Sequence, residues 1–219
     1  MSPVHVGIIG GTGPAGMGLA VRLAAAGIEV TVGSRTETRA KEHVDEVLDR
    51  WPDHKLSMAG EDNQEAARAE VVVLATPWDA AVATVRSLSE PLRGKVVVSM
   101  CNALHRVGDE FQPLVLSRGS VAESLQTALE ESFIGAAFHH LPARPLGNLD
   151  TVLDADVLVC ADRSQALDQT MALVARIPGL RGVNAGTLSM AGAIESFTAV
   201  LLNVNMRHKT RSALKLSGL

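Results

Sequence analysis

Gly11-Thr12-Gly13-Pro14-Ala15-Gly16 spells GxGxxG, directly after a short apolar run, Val4–Ile9. A loop of this kind does its chemistry through the backbone. One glycine makes a tight turn, the next lets the chain approach a pyrophosphate, and the third lets the following helix pack closely on the strand. The free N–H groups in the first turn of that helix then point at the anion. About 20 residues on, a carboxylate would bind the ribose hydroxyls of NAD. This chain instead has Ser34 and Arg35, with Arg39 one turn later. A hydroxyl and planar guanidinium donors suit a 2′-phosphate, so the expected ligand is NADP(H).

Thr76-Pro77-Trp78 follows the apolar strand Val71–Ala75, at the edge where open α/β sheets bind ligands. Trp78 is there either as a ligand contact or as packing. The candidate catalytic residues are His139 and His140, after the strand Phe133–Phe138. Such a pair can donate a proton, line a pocket, or be hydrogen-bonded structurally. Glu195, beside the apolar face of the last helix, is either paired structurally or a ligand contact. The usual proton donors of carbonyl reduction are missing or displaced. There is no tyrosine, and no lysine lies between Lys95 and Lys209. A nicotinamide site without an acid–base pair suits hydride passage between two cofactors, which depends mainly on aligning two rings.

Strands alternating with helical patterns must position these residues, and they argue for a parallel sheet with crossover helices. The expected elements after the glycine loop are a helix over 14–26, a strand at Val30–Val32 and a charged helix at Thr36–Trp51. A weak strand at Lys55–Met58 and a short helix at Gln64–Arg68 come next. A helix at Asp79–Leu88 and a strand at Lys95–Met100 follow Val71–Ala75. The stretch 101–119 reads as loop, and Ser120 opens a helix with a capping-box pattern. The proline-bearing stretch 143–154 marks a junction between an NADP-binding domain (1–148) and a small C-terminal α/β domain (149–219). The second unit is expected to hold a strand at Asp156–Cys160, a helix at Gln165–Ile177, a strand at Leu180–Asn184 and a long helix at Leu188–Met206. The basic stretch Arg207, His208, Lys209, Arg211 and Lys215 either attracts an anion or complements the dipole of that helix.

Composition narrows the alternatives. At 219 residues the chain fits one full domain plus a small one. Apolar residues at 47% and charged residues at 20% exclude a disordered chain. A net charge of −4, with two Trp, four Phe and no Tyr, argues against nucleic-acid binding. Cys101 and Cys160 end apolar runs without metal-ligand spacing. No metal is expected, and the cysteines suit a reducing cytoplasm. No apolar run approaches the length of a membrane span, and no signal-peptide pattern opens the chain.

Five segments carry a resemblance over essentially the whole chain: GGTGPAGMGLAVRLAAAGIEVTVGSR, TPW, AFHHLPA, GLRGVNAG and IESFTAVLLNVN, in that order. Together they resemble the F-420-dependent NADP oxidoreductases, bacterial members more closely than archaeal ones. The resemblance implies a Rossmann-type doubly wound sheet, a small C-terminal domain and a deazaflavin, coenzyme F-420, bound in the cleft between them. It implies hydride exchange between the two cofactors and a homodimer. Thr12 and Gly13 would contact the pyrophosphate region, and Ser34, Arg35 and Arg39 would hold the 2′-phosphate. The backbone at Leu141 and Ala143 would fix the carboxamide. Leu188-Ser189-Met190-Ala191-Gly192 departs from the family pattern, which has asparagine or arginine there. Two alternatives stand beside this reading. One is an NADPH-dependent reductase of a flavin, quinone or ferric chelate, and the other is a non-catalytic NADP-sensing protein.

Overall fold

The runs Val71–Leu74 and Val96–Ser99 are buried at every position in the computed structural model, which describes residues 5–219. Burial on both faces is what a central parallel strand requires, since crossover helices cover each side. In chain order the elements are β1 (His5–Ile9), α1 (Pro14–Ala25), β2 (Glu29–Ser34), α2 (Glu37–Arg50), β3 (Met58–Asp62), α3 (Asn63–Ala66) and β4 (Val71–Leu74). There follow α4 (Trp78–Ser87), α5 (Ser89–Leu92), β5 (Val96–Ser99), β6 (Leu104–Val107), β7 (Glu110–Pro113), α6 (Val121–Ala128) and β8 (Phe133–Ala136). The rest are α7 (Ala143–Leu146), β9 (Ala155–Ala161), α8 (Ser164–Ala175), β10 (Leu180–Gly186) and, after a 3-10 turn at Leu188–Met190, α9 (Ala191–His208). Val4, the first residue of the expected opening strand, lies outside the described residues.

Eight strands form one sheet in the order β10-β9-β8-β5-β4-β1-β2-β3. All neighbours are parallel except β8 and β9, which run antiparallel at Ala136↔Cys160. The chain builds outward from β1 through β2 to β3, then returns to β4 on the other side of β1. Alternate residues divide between two apolar clusters. Val71 and Val73 pack with Leu19, Leu23 and Val44 on one face, while Val72 and Leu74 pack with Val85, Leu125 and Ile194 on the other. The sheet is therefore doubly wound, as expected. The boundary expected at residue 148 falls in the connection between β8 and β9, and β9 and β10 continue the same sheet.

The stretch read as loop over 101–119 contains a hairpin instead. β6 and β7 pair antiparallel, with Val107 opposite Glu110 across Gly108-Asp109. Gly108 takes a φ of 58°, the left-handed region that a two-residue hairpin turn asks of its first position. The strands themselves lack an apolar alternation. The hairpin is held from outside, by Asn203 of α9, which exchanges two 2.8 Å hydrogen bonds with the backbone of Phe111. β3 begins three residues later than expected, at Met58, where its backbone comes into register with Val30 of β2.

The segment after α9 folds back along β9. Leu214 accepts the Asp156 N–H at 2.8 Å, and the Asp156 carboxylate accepts the Leu216 N–H at 2.5 Å. Arg181 of β10 grips the same carboxylate with Nε and Nη2 at 2.7 and 2.6 Å. Its guanidinium also donates to the carbonyls of Leu216 and Leu219. Two-point pairing with Arg181 holds the Asp156 carboxyl down at about 2.

Candidate functional site

A cavity of about 590 Å³ opens at the carboxyl edge of the sheet, where strand order reverses between β1 and β4. Open α/β sheets bind ligands at such a point. Thr12, Gly13, Pro14, Ala15 and Gly16 form one wall. Pro14 starts α1, where its missing N–H costs nothing, and no side chain caps that helix end. The first-turn N–H groups are thus left for an anion. A Cβ on Gly13 would meet nothing within 4 Å, so the backbone there is bare toward the cavity. A Cβ on Gly16 would lie 2.9 Å from Ala75, and this closeness seats α1 on the sheet. Gly11 stays off the wall and ties the loop to β2 through Gly33, at 2.9 Å.

Ser34, Arg35 and Arg39 line one end of the cavity. Ser34 ends β2 and is buried, whereas both arginines are exposed. Neither guanidinium has a hydrogen bond or ion pair among the described residues, so both are free to take an anion. Thr76, Pro77 and Trp78 line the other end with Met100, Cys101 and Asn102 from the end of β5. Trp78 lines the cavity and also packs against the second apolar cluster.

Asn63, Met100, Cys101 and Asn102 were not legible as site residues. Asn63 accepts the Gly10 N–H at 3.0 Å and so anchors a residue whose φ is 69°. The Cys101 thiol is pushed up to about 12 by burial and donates to the Thr76 carbonyl at 3.2 Å, so it is no nucleophile. Asn102 Nδ2 donates to the His139 carbonyl at 2.8 Å. No signal within a single strand–turn–helix unit marks these residues.

His139 and His140 do not reach the first cavity. Both are buried under the turn after β8, their rings edge to face at 5.4 Å. Burial, with His140 alongside, pushes His139 down to about 3, which keeps its ring neutral. Burial lowers His140 as well, and its Nε2 lies 3.0 Å from the Asp156 carbonyl. The turn above them holds Phe138 at a φ of 65° with its ring in the core. A bulky residue there is strained, a cost that only well-determined surroundings sustain.

Leu141 lines a second cavity of about 390 Å³, with Pro142, Leu146, Val152 and Leu153 among its walls. Arg211 lies on its edge, while the neighbouring cations Arg207 and Lys215 are paired to Glu110 and Asp154. Ala143 lines a third hollow instead, against Met17 and Gly18 of α1. The turn 138–141 therefore separates the first two cavities. Asn102, on the wall of one, holds His139, and two residues later Leu141 lines the other.

Glu195 is structural. Its carboxylate accepts the N–H groups of Val121 and Ala122 at 3.0 and 3.3 Å, capping α6 from across the fold. Burial nevertheless raises it to about 7. Between about pH 4.5 and 7 the folded chain keeps a proton that the unfolded chain has lost, so stability falls as pH rises through that window. The fall is at most about 3 kcal/mol. Glu195→Gln is expected to flatten it. Urea melts across that range check this, and parallel pH profiles for the two proteins would refute it.

Among the described residues no group of three or more His, Cys, Asp or Glu side chains could hold a metal. None of their helices is long and apolar enough to cross a membrane.

Comparison with known proteins gives a consistent picture. Residues 5–103 match the family model described as NADP oxidoreductase, coenzyme F-420-dependent. An F-420-dependent NADP reductase of Methanothermobacter marburgensis is 35% identical over 215 residues, 96% of either chain. One of Methanocaldococcus jannaschii is 33% identical, over 95% of either chain. Among solved structures, a protein of Arthrobacter sp. FB24 superposes with a TM-score of 0.81 at 22% identity, over 98% of this chain and 99% of that one. A Sinorhizobium meliloti protein does so at 0.71 and 26%, over 89% and 90%.

Proposed function

This chain belongs to the family of coenzyme F-420-dependent NADP oxidoreductases, and we propose from that premise that it passes a hydride between NADPH and the deazaflavin coenzyme F-420. The observation that carries the reading is the pair of cavities on either side of the turn 138–141. The first has the backbone loop for a pyrophosphate and free guanidiniums for a 2′-phosphate. The second is walled by Leu141, Pro142, Leu146 and Leu153, and suits a flat ring. NADP(H) supplies the hydride chemistry, and reduction of the deazaflavin takes up one further proton from water. The chain binds and aligns. Ser34, Arg35 and Arg39 would fix the adenosine end, and the first turn of α1 would neutralise the pyrophosphate. Among the described residues lining the first cavity there is no Asp, Glu, His or Lys. This agrees with a reaction that needs two aligned rings and no substrate acid.

The segment 149–219 serves, on this reading, as the unit that completes the second cavity and the dimer contacts. Phe197, Val200 and Val204 lie exposed at i, i+3 and i+7 on α9, an apolar stripe that a second copy of the chain would cover. Cys101 and Cys160 are free and buried, which fits a reducing cytoplasm.

Mixing the protein with NADPH and F-420 tests the function. The deazaflavin's visible absorbance is expected to fall as NADPH is oxidised, with the protein sedimenting as a dimer. Protein that binds NADPH and leaves the deazaflavin unchanged would overturn the assignment, and a monomer would overturn the dimer alone.

A further inference from the structure

Two buried oxygens on the wall of the first cavity accept no hydrogen bond among the described residues, Thr76 Oγ1 and Asn102 Oδ1. An acceptor buried without a donor costs free energy, so each such atom calls for an explanation. Asn102 is the more informative. Its amide nitrogen is committed to the His139 carbonyl at 2.8 Å, which fixes the sense of the amide and leaves the oxygen able only to accept. The partner it lacks is therefore a donor, an N–H or an O–H.

Position narrows the donor further. The cavity runs from Ser34, Arg35 and Arg39 at the end of β2, past the start of α1, to Thr76 and Asn102 at the ends of β4 and β5. A dinucleotide with its 2′-phosphate at the first end and its pyrophosphate on α1 brings its nicotinamide half to the last. Its donors there are the ribose hydroxyls and the carboxamide N–H groups, and of these the carboxamide is the one attached to the ring. We propose that Asn102 Oδ1 accepts a hydrogen bond from the nicotinamide carboxamide, so that Asn102 sets the orientation of the ring and links it to the turn 138–141. This rests on the NADP reading of the cavity.

The test compares NADP with its acetylpyridine analogue, in which a methyl group replaces the carboxamide nitrogen and removes the donor. Dissociation constants are measured for both on the wild type, Asn102→Val and Asn102→Asp, with a thermal melt of each. A site built around a hydrogen bond rejects a ligand lacking it, so the wild type is expected to prefer NADP by about tenfold or more. Asn102→Val loses that preference by weakening NADP while leaving the analogue nearly unchanged. Asn102→Asp keeps an acceptor and keeps the preference, but melts lower because the bond to His139 is gone. Equal weakening of both ligands in Asn102→Val, or loss of preference in a folded Asn102→Asp, would overturn the proposal. If Asn102→Val does not fold, Asn102→Asp decides. A wild type that binds both ligands alike refutes this inference alone, whereas one that binds neither refutes the NADP reading beneath it.

Discussion

Replacing Arg35 with alanine is expected to weaken NADPH by about 10- to 100-fold while leaving NADH nearly unchanged. The magnitude is that of a hydrogen bond to a charged group, roughly 1.5–3 kcal/mol. The asymmetry follows from position. Arg35 leaves the end of β2 into the end of the cavity farthest from β4 and β5, beside the buried Ser34. On the proposed reading a guanidinium in that place meets the 2′-phosphate, which NADPH carries and NADH lacks. Arg39, one turn into α2, faces the same end and retains part of the preference in the variant. Affinities at two salt concentrations sharpen the result, since a charge contact to an exposed arginine is screened and a shape contact is not. An equal loss for both ligands would mean that Arg35 shapes the loop and does not read the phosphate.

The second large effect is on stability. Asp156→Ala is expected to cost about 2–3 kcal/mol, less than the cost of breaking a fully buried ion pair because the Arg181 side chain is 37% exposed. Asp156 is fully buried, and its carboxylate answers both Arg181 and the Leu216 N–H. Removing it leaves the guanidinium with only the oxygens of Leu216 and Leu219 and takes away the acceptor of the Leu216 N–H. In a chain of this size the melting temperature is expected to fall by roughly 4–12 °C. The pair's contribution also has a defined pH window. The carboxyl is held near 2, below its ordinary 3.8, so the stabilisation is complete above that ordinary value. It is lost as pH falls through about 2. Because Thr210, Arg211 and Ala213 wall the second cavity, the variant is also expected to lose affinity for the deazaflavin before it loses NADPH. A cost under about 1 kcal/mol would show that the tail is held by other contacts.

What could be read from the sequence, and what could not, divides along contact range. The glycine loop, Ser34, Arg35 and Thr76-Pro77-Trp78 could be placed beside the cavity because each sits at or just after the end of an apolar strand, and Arg39 because it lies in the first turn of the helix after β2. Asn63 and Asn102 could not. Asn63 matters through Gly10, 53 residues away, and Asn102 through His139, 37 residues away. The histidine pair invited a catalytic reading because it follows a strand, yet the left-handed Phe138 turns both rings under the backbone. The hairpin at β6–β7 was hidden for a related reason, since its support comes from Asn203 on α9.

The one antiparallel neighbour in the sheet has a consequence for how such an enzyme can change. Because β9 runs against β8, the chain leaves the sheet and re-enters it at the same edge. The connection from Leu141 to Ala155 supplies most of the wall of the second cavity, and it is tied to α1 by Arg22, which donates to the carbonyls of Pro145, Leu146 and Thr151, while Leu146 is buried in the first apolar cluster. Only the part of it outside those contacts has a surface loop's tolerance of insertion and replacement. On the proposed reading, the hydride acceptor can be retailored at exposed positions such as Val152, while the residues anchored by Arg22 keep the NADP-holding half as it is.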